Sequence, residues 1–159
     1  MGIGAYGDEG IEGARLRFHA IERIEVTSDA SRPVVYSGGG SFLPSMQLVA
    51  GDGNDRLFSG EIDEVLEGGR GNDFFQFGGG RDTFISRTDD ADIFEIGGTG
   101  GAVRIRGFNG AGSAGGDTVR ITEAATVTRN QGTTTFDWGE GRAVVDSGEL
   151  VEGTDYSFV

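Results

Sequence analysis

Four acidic side chains recur at intervals of nine residues: Asp55, Glu64, Asp73 and Asp82. If two nine-residue units complete one coil, residues two units apart lie one above another, so Asp55 stacks over Asp73 and Glu64 over Asp82. The glycines between the acids permit tight turns that aim backbone carbonyls inward. Stacked carboxylates between such turns could hold a hard divalent cation such as calcium, which takes six to eight oxygen ligands.

An apolar residue stands two positions after each acid, and the same period continues on both sides. This column consists of Leu48, Leu57, Leu66, Phe75, Phe84 and Ile93. Each unit supplies turn-forming residues followed by three extended ones, whose middle side chain points inward. Stacking such units buries a continuous apolar column, as in a solenoid. After Ser86 the period slips, because the acidic position falls on Ala91, between Asp90 and Asp92.

Composition fits this interpretation. A chain of 159 residues with 31 glycines is long enough for one domain with a buried core. Its 26 acidic and 13 basic residues give a net charge of −13, which favours cations over nucleic acid as partners. No apolar run approaches the roughly 18 residues of a membrane span. The absence of cysteine excludes disulfides and sulfur-ligated metals.

Residues typical of catalytic sites are scarce. His19 is the only histidine, and no His-Glu-x-x-His run exists, so a zinc protease site is excluded and a surface or packing role is expected for His19. Asp89 and Asp90 could be considered as an acid pair for glycoside cleavage, but neighbours on an extended chain point in opposite directions. We therefore predict no catalysis in this chain.

The repeats resemble the glycine-rich nonapeptides of the RTX (repeats-in-toxin) family, Gly-Gly-x-Gly-x-Asp-x-apolar-x. The unit Gly68–Gln76 matches every defined position, and Ala50–Phe58 differs only at the first. The resemblance implies an all-β fold, a right-handed parallel β-roll, here with a carboxy-terminal antiparallel β cap. In that family each calcium ion lies between two turns on the same side of the roll.

The resemblance also implies three ligand sets, in which residues other than Asp and Glu contribute backbone carbonyls. The first set is Gly51, Gly53 and Asp55 with Gly68, Arg70 and Asp73. The second, which departs from the motif at Ile62 and Glu64, is Gly60, Ile62 and Glu64 with Phe77, Gly79 and Asp82. The third is Gly69, Gly71 and Asp73 under Ser86 and Thr88, with Asp90 or Asp92 in place of Ala91.

Three zones follow from these patterns: irregular leading coils over residues 1–49, the repeat over 50–96, and a cap over 97–159. Strands are expected in the first zone at Ile21–Thr27 and Pro33–Ser37, with a short helix over Ala14–Glu22 as an alternative. Glycine-rich turns in the third zone favour antiparallel strands. Those strands are Ala102–Arg106, Asp117–Thr122, Thr133–Trp138, Arg142–Asp146 and Tyr156–Val159.

By its resemblance, the chain is expected to be the carboxy-terminal part of an extracellular RTX-like protein that folds on binding calcium after type I secretion from a Gram-negative cell. Two features agree with this export route. Met1–Gly13 lacks the apolar core of a signal peptide. The ending Asp155–Val159, acidic and then mostly apolar, is similar to family endings, although Ser157 departs from them.

Two alternatives remain open. The roll could be a polysaccharide-binding or adhesion module, with Phe58, Phe74 and Arg56 on its outer face as the contact. It could also be the carboxy-terminal domain of a secreted protease or lipase. The type I export machinery is an expected partner, and a glycan is a further candidate.

Overall fold

A computed structural model describes residues 23–28, 33–38, 45–87, 90–98, 100–110, 112 and 116–159, the first of these ranges by its backbone only. All regular structure in these ranges is β-strand, and none is helical. The strands are β1 (Arg23–Ser28), β2 (Val35–Ser37), β3 (Ser45–Asp52), β4 (Arg56–Phe58), β5 (Asp63–Arg70), β6 (Phe74–Gln76), β7 (Arg81–Ile85), β8 (Ile93–Ile96), β9 (Gly101–Arg106), β10 (Thr118–Ile121), β11 (Thr126–Asn130), β12 (Thr133–Trp138), β13 (Gly141–Val145) and β14 (Tyr156–Phe158).

The strands form two sheets. One has eight strands in the order β1-β3-β5-β7-β9-β13-β12-β11, and the other has six in the order β14-β10-β8-β6-β4-β2. From β2 to β10 the chain alternates between the sheets, and each strand pairs in parallel with the next strand of its own sheet. The result is a β-solenoid of about four turns, consistent with a β-roll. The expected parallel all-β architecture is confirmed.

The core consists of two stacked columns, one from each sheet. In the eight-stranded sheet the paired residues are Leu48, Leu66, Phe84 and Ile105. In the six-stranded sheet they are Tyr36, Leu57, Phe75, Phe94, Val119 and Tyr156. The flanking residues of β4 and β6 lie outside, as the repeat predicted. Phe75 stacks on Phe94 at a centroid distance of 4.9 Å.

The prediction that Ile93 continues the apolar column is wrong. Phe94 pairs with Phe75 and is fully buried, whereas Ile93 pairs with Phe74 on the outer face and is half-buried. The turn between β7 and β8 contains one residue more than a strict nine-residue period allows. That single insertion shifts the inward position by one residue, because side chains alternate between the faces of a strand.

The carboxy-terminal strands differ from the antiparallel arrangement that we expected. Only β11, β12 and β13 form an antiparallel meander, which extends the eight-stranded sheet because β13 pairs in parallel with β9. Strands β9, β10 and β14 pair in parallel and continue the solenoid. The antiparallel meander includes β11, which the sequence pattern did not predict.

Two of the amino-terminal predictions coincide with strands, β1 and β2. The alternative helix over Ala14–Glu22, and His19 within it, lie outside the described residues. In the part of the chain that the structure describes, no helix has the length and apolar character needed to cross a bilayer.

Candidate metal centre

The turns of the solenoid lie along two edges. On one edge the chain passes from the eight-stranded to the six-stranded sheet, and an aspartate stands directly before the next strand. We call this the aspartate edge, and its members are Asp55, Asp73, Asp92 and Asp117. On the opposite edge, the glutamate edge, Glu64 and Asp82 are the second residues of β5 and β7.

The aspartate edge is a ladder of carboxylates that bind the backbone of the preceding turn. The Oδ1 atom of Asp73 accepts a hydrogen bond from the backbone N–H of Asp55 at 2.8 Å. Asp92 accepts in the same way from Asp73 at 2.7 Å, and Asp117 from Asp92 at 2.8 Å. All four aspartates are only 1% exposed. The ladder therefore places a row of acids inside the roll, one per level.

Three aspartates of this ladder each have one carboxylate oxygen without a protein donor. The Oδ2 atoms of Asp55, Asp73 and Asp92 are buried, and no described residue donates a hydrogen bond to them. A buried carboxylate oxygen without a partner is costly, because water can no longer solvate its charge. A bound cation would supply the missing partner, and an all-oxygen environment is what calcium prefers.

Burial also changes the acidity of these groups. Burial raises the pKa of Asp73 from 3.8 to about 7; the Asp55 N–H lowers it, and the charges of Asp55, Asp90 and Asp117 raise it. Burial likewise raises the pKa of Asp92 to about 8. The hydrogen bond from the Asp73 N–H lowers this pKa, and the charges of neighbouring carboxylates raise it. The ionised ladder is therefore unfavourable without a counter-ion near neutral pH.

The structure brings the six residues of the first ligand set together. Gly51 pairs with Gly69 across β3 and β5, and the N–H of Gly53 donates to the Arg70 carbonyl at 2.8 Å. Asp73 Oδ2 lies against the Cα of Gly68, where an added methyl group would overlap it. Glycine is required at position 68, because a side chain there would occupy the space of the Asp73 carboxylate.

Stacking of the turns depends on two further glycines of the third set. Gly69 and Gly71 have φ values of 109° and 114°, and a methyl group on either would overlap the carbonyl oxygen of Gly51 or Gly53 in the level below. Backbone carbonyls of successive turns are thus closely layered. Such layering is possible only where no Cβ intervenes.

Both acids that flank Ala91 lie beside residues of the predicted third ligand set. Asp92 binds the Asp73 N–H, and the Gly71 N–H donates to Asp90 Oδ2 at 3.3 Å. Ser86 donates its hydroxyl hydrogen to Asp117, and Thr88 lies outside the described residues. The structure thus gives Asp92 the position that the strict period assigned to Ala91.

The second ligand set, on the glutamate edge, is arranged differently. Glu64 accepts hydrogen bonds from the Tyr36 hydroxyl at 2.6 Å and from the Gly60 N–H at 2.5 Å, one at each carboxylate oxygen. The Glu64 N–H donates to Asp82 Oδ1 at 2.9 Å. Burial raises the pKa of Tyr36, and the adjacent Glu64 raises it further. Protein donors therefore already satisfy Glu64.

The other members of this set line the same turns. Gly79 lies near Gly60, since a methyl group added to Gly79 would be 3.5 Å from the Gly60 carbonyl oxygen. The Ile62 carbonyl lies against Gly80. The Phe77 side chain is buried in the core, edge-on to Trp138 at 6.0 Å. Burial raises the pKa of Asp82 to about 7, although the nearby Ser59 hydroxyl and the Glu64 N–H lower it.

One member of the aspartate edge, Asp117, lies outside the nine-residue period and was not predicted. It lies 25 residues after Asp92 because a longer turn, residues 107–117, separates β9 from β10. A local signal was present, since Asp117 precedes the buried Val119 by two positions, as Asp73 precedes Phe75. Asp90, Asp92 and Asp117 offer ligand oxygens within 4.8 Å of one another and could hold a metal ion.

The outer face of the six-stranded sheet contains the aromatic pair that the sequence singled out. Phe58 and Phe74 are half-buried, with ring centroids 5.9 Å apart. The Arg56 guanidinium lies 5.3 Å from the centre of the Phe74 ring. The three side chains form one partly exposed surface, so their predicted clustering is confirmed.

Comparison of the chain with protein-family models, curated proteins and solved structures finds no match. The site must therefore be interpreted from its own geometry.

Proposed function

We propose that this chain is a calcium-binding β-roll module that folds on binding calcium after type I secretion, as the carboxy-terminal part of an RTX-like extracellular protein. One observation carries the calcium proposal: the buried Oδ2 atoms of Asp55, Asp73 and Asp92, which lack donors among the described residues. The resemblance of Gly68–Gln76 to the RTX nonapeptide supports the same conclusion and is the basis for the proposed route of export.

Calcium would act on folding through charge. Without the ion, the raised pKa values of Asp73 and Asp92 mean that ionising the ladder opposes the folded state. An ion that binds only the folded chain stabilises it, by about 2.7 kcal/mol at a hundredfold excess over the dissociation constant. Extracellular calcium modules bind at roughly 10⁻⁴ to 10⁻³ M. The chain would therefore remain unfolded at cytosolic calcium levels and fold outside the cell.

A calcium titration of the full chain tests this proposal. Far-ultraviolet circular dichroism should change from a disordered to a β spectrum as calcium is added, and a chelator should reverse the change. Magnesium at the same concentrations serves as the control for ionic strength and charge. An equally folded chain after exhaustive removal of divalent ions would contradict the proposal.

A glycan-binding or adhesive role is a second candidate, favoured by the partly exposed surface of Arg56, Phe58 and Phe74. Aromatic faces stack on sugar rings, and arginine can bind acidic sugars. Titration with an acidic polysaccharide such as alginate, in constant calcium, should be weakened by Phe74→Ala if this surface binds glycan. Unchanged affinity would exclude this surface as the glycan site.

A further inference from the structure

The nine-residue repeat ends at a cluster of three aspartates. Asp90, Asp92 and Asp117 offer oxygens within 4.8 Å of one another. Asp92 and Asp117 are 1% exposed, and Asp90 is half-buried. Asp117 lies outside the repeat, at the end of the longer turn formed by residues 107–117, so this cluster joins the last repeat turn to a turn with a different sequence.

The cluster contains a carboxylate oxygen that the protein does not satisfy. Asp92 uses Oδ1 to accept the Asp73 N–H at 2.7 Å, while its Oδ2 is buried and has no donor in the described part of the chain. Neither Asp92 nor Asp117 forms an ion pair with any described residue. Two buried carboxylates without an ion-pair partner among the described residues are unfavourable when both are ionised.

Asn109, a described residue of the longer turn, bonds to this cluster. The backbone N–H of Asn109 donates to Asp117 Oδ2 at 2.9 Å, and its side-chain amide donates to the Asp90 carbonyl at 3.0 Å. The Ser86 hydroxyl also donates to Asp117, at 2.9 Å. These bonds place the carboxylate of Asp117 beside the last repeat turn, near Asp90 and Asp92.

The same turn is connected to the end of the chain. The Gly112 N–H donates to the carboxylate of Asp155 at 2.8 and 2.7 Å, and Asp155 also accepts from the Val151 N–H at 2.7 Å. Asp155 directly precedes β14, which pairs with β10. These bonds therefore connect Gly112 of this turn to the strand pair β10 and β14.

We infer that Asp90, Asp92 and Asp117 form an additional calcium site that joins the last repeat turn to the turn of residues 107–117 and orders β10 and β14. The ligands are oxygens only, which favours calcium over softer metals. This inference rests on the proposed calcium-dependent folding, and it adds Asp117, a ligand from outside the nonapeptide repeat.

The test uses the full chain, calcium alone as the ligand, and Asp90→Asn as the main variant. Asparagine retains an oxygen that can accept the Gly71 N–H but removes the charge. Asp63→Asn is the matched control. Asp63 is an exposed aspartate at the start of β5, away from the cluster, and it accepts a hydrogen bond from the Arg81 N–H. Asp117→Asn is a second variant of the same cluster.

Calorimetry and metal analysis should show one ion fewer in Asp90→Asn and Asp117→Asn, with the other affinities changed less than about threefold. In calcium, amide hydrogen exchange should accelerate at least tenfold in β10 and β14 and remain unchanged in β3 to β6. Asp63→Asn should behave like the unmodified chain.

Full occupancy and unchanged affinity in both cluster variants would overturn this inference and leave calcium-dependent folding intact. A failure of the unmodified chain to bind any calcium would overturn the proposed function, and this site with it. If Asp90→Asn does not fold in calcium, Asp117→Asn decides the question by the same measurements.

Discussion

The two edges of the roll use the same kind of residue in different ways. On the aspartate edge the acids at successive levels each bind the backbone of the level below, and Asp55, Asp73 and Asp92 retain a buried oxygen without a donor among the described residues. On the glutamate edge both oxygens of Glu64 have donors, from Tyr36 and Gly60. The acidic column there also ends early, because the buried Val103 pairs with Asp82.

This difference shows how one repeat can have two roles. A repeated acid that points into a turn creates a demand for positive charge or for hydrogen-bond donors. On the glutamate edge protein donors meet that demand for Glu64. Asp82 retains one buried oxygen, Oδ2, without a donor among the described residues, and the apolar Val103 stands at the next level. The aspartate edge leaves it unmet over several levels, and we therefore expect calcium to bind there first.

The largest expected effect is on calcium affinity, and amide substitutions on the two edges measure it. Asp73→Asn should weaken calcium binding at least a hundredfold, about 2.8 kcal/mol, because Asp73 lies between two levels of the aspartate edge. Glu64→Gln should change affinity less than about threefold, since an amide can bond both Gly60 and the Tyr36 hydroxyl. Titration followed by circular dichroism compares them, and equal or opposite effects would contradict our ranking of the edges.

A second prediction concerns the close layering of turns. Gly71→Ala on the aspartate edge should lower the free energy of unfolding in calcium by about 2.5 kcal/mol, because φ is positive and the methyl group overlaps the Gly53 carbonyl. Gly98→Ala, in a turn of the opposite edge, also has a positive φ, 80° against 114° at Gly71, but no atom lies within 4 Å of the added methyl group. Its cost should be about 1 kcal/mol. Urea unfolding measures both, and equal losses would show that layering contributes nothing beyond φ.

The third prediction is a dependence on pH without calcium. The pKa values of Asp73 and Asp92 in the folded chain, about 7 and 8, exceed the ordinary 3.8. Stability from these groups is complete below the ordinary value and is lost as the pH rises through the folded values. The free energy of unfolding of the calcium-free chain should therefore decrease by about 2 kcal/mol from pH 5 to pH 8.

Saturating calcium should reverse this trend, because protons and the ion compete for the same carboxylates. Asp92→Asn should flatten the calcium-free profile, and Asp63→Asn should leave it unchanged. The folded fraction of the calcium-free chain, followed by far-ultraviolet circular dichroism at each pH, provides the measurement. A calcium-free chain that becomes more stable from pH 5 to pH 8 would show that the ladder is not the main titrating element.

Much of the fold follows from the sequence because strict periodicity specifies register. Leu66 over Leu48 and Phe75 over Leu57 are consequences of residues eighteen apart occupying the same place in successive coils. The first ligand set is assembled for the same reason. These are the positions at which local pattern and overall fold agree.

The departures arise where length changes between levels. Because one extra residue precedes β8, Phe94 and not Ile93 points into the core. The length of the segment 107–117 places Asp117 outside the nine-residue period. The bond between Tyr36 and Glu64 joins residues outside and inside the repeat. Such contacts depend on how coils of unequal length align, which a periodic pattern does not encode.

The smallest expected effect tests whether protein donors replace a cation at the glutamate edge. Tyr36→Phe removes the hydroxyl that bonds Glu64 Oε1 and should lower the free energy of unfolding by about 1 kcal/mol in calcium just sufficient to fold the chain. The loss should be smaller in saturating calcium, because the freed oxygen then becomes available to an ion. Unfolding in both conditions measures the difference. Equal losses would mean that Glu64 cannot bind the ion even when its donor is removed, so that turn geometry, and not donor supply, distinguishes the two edges.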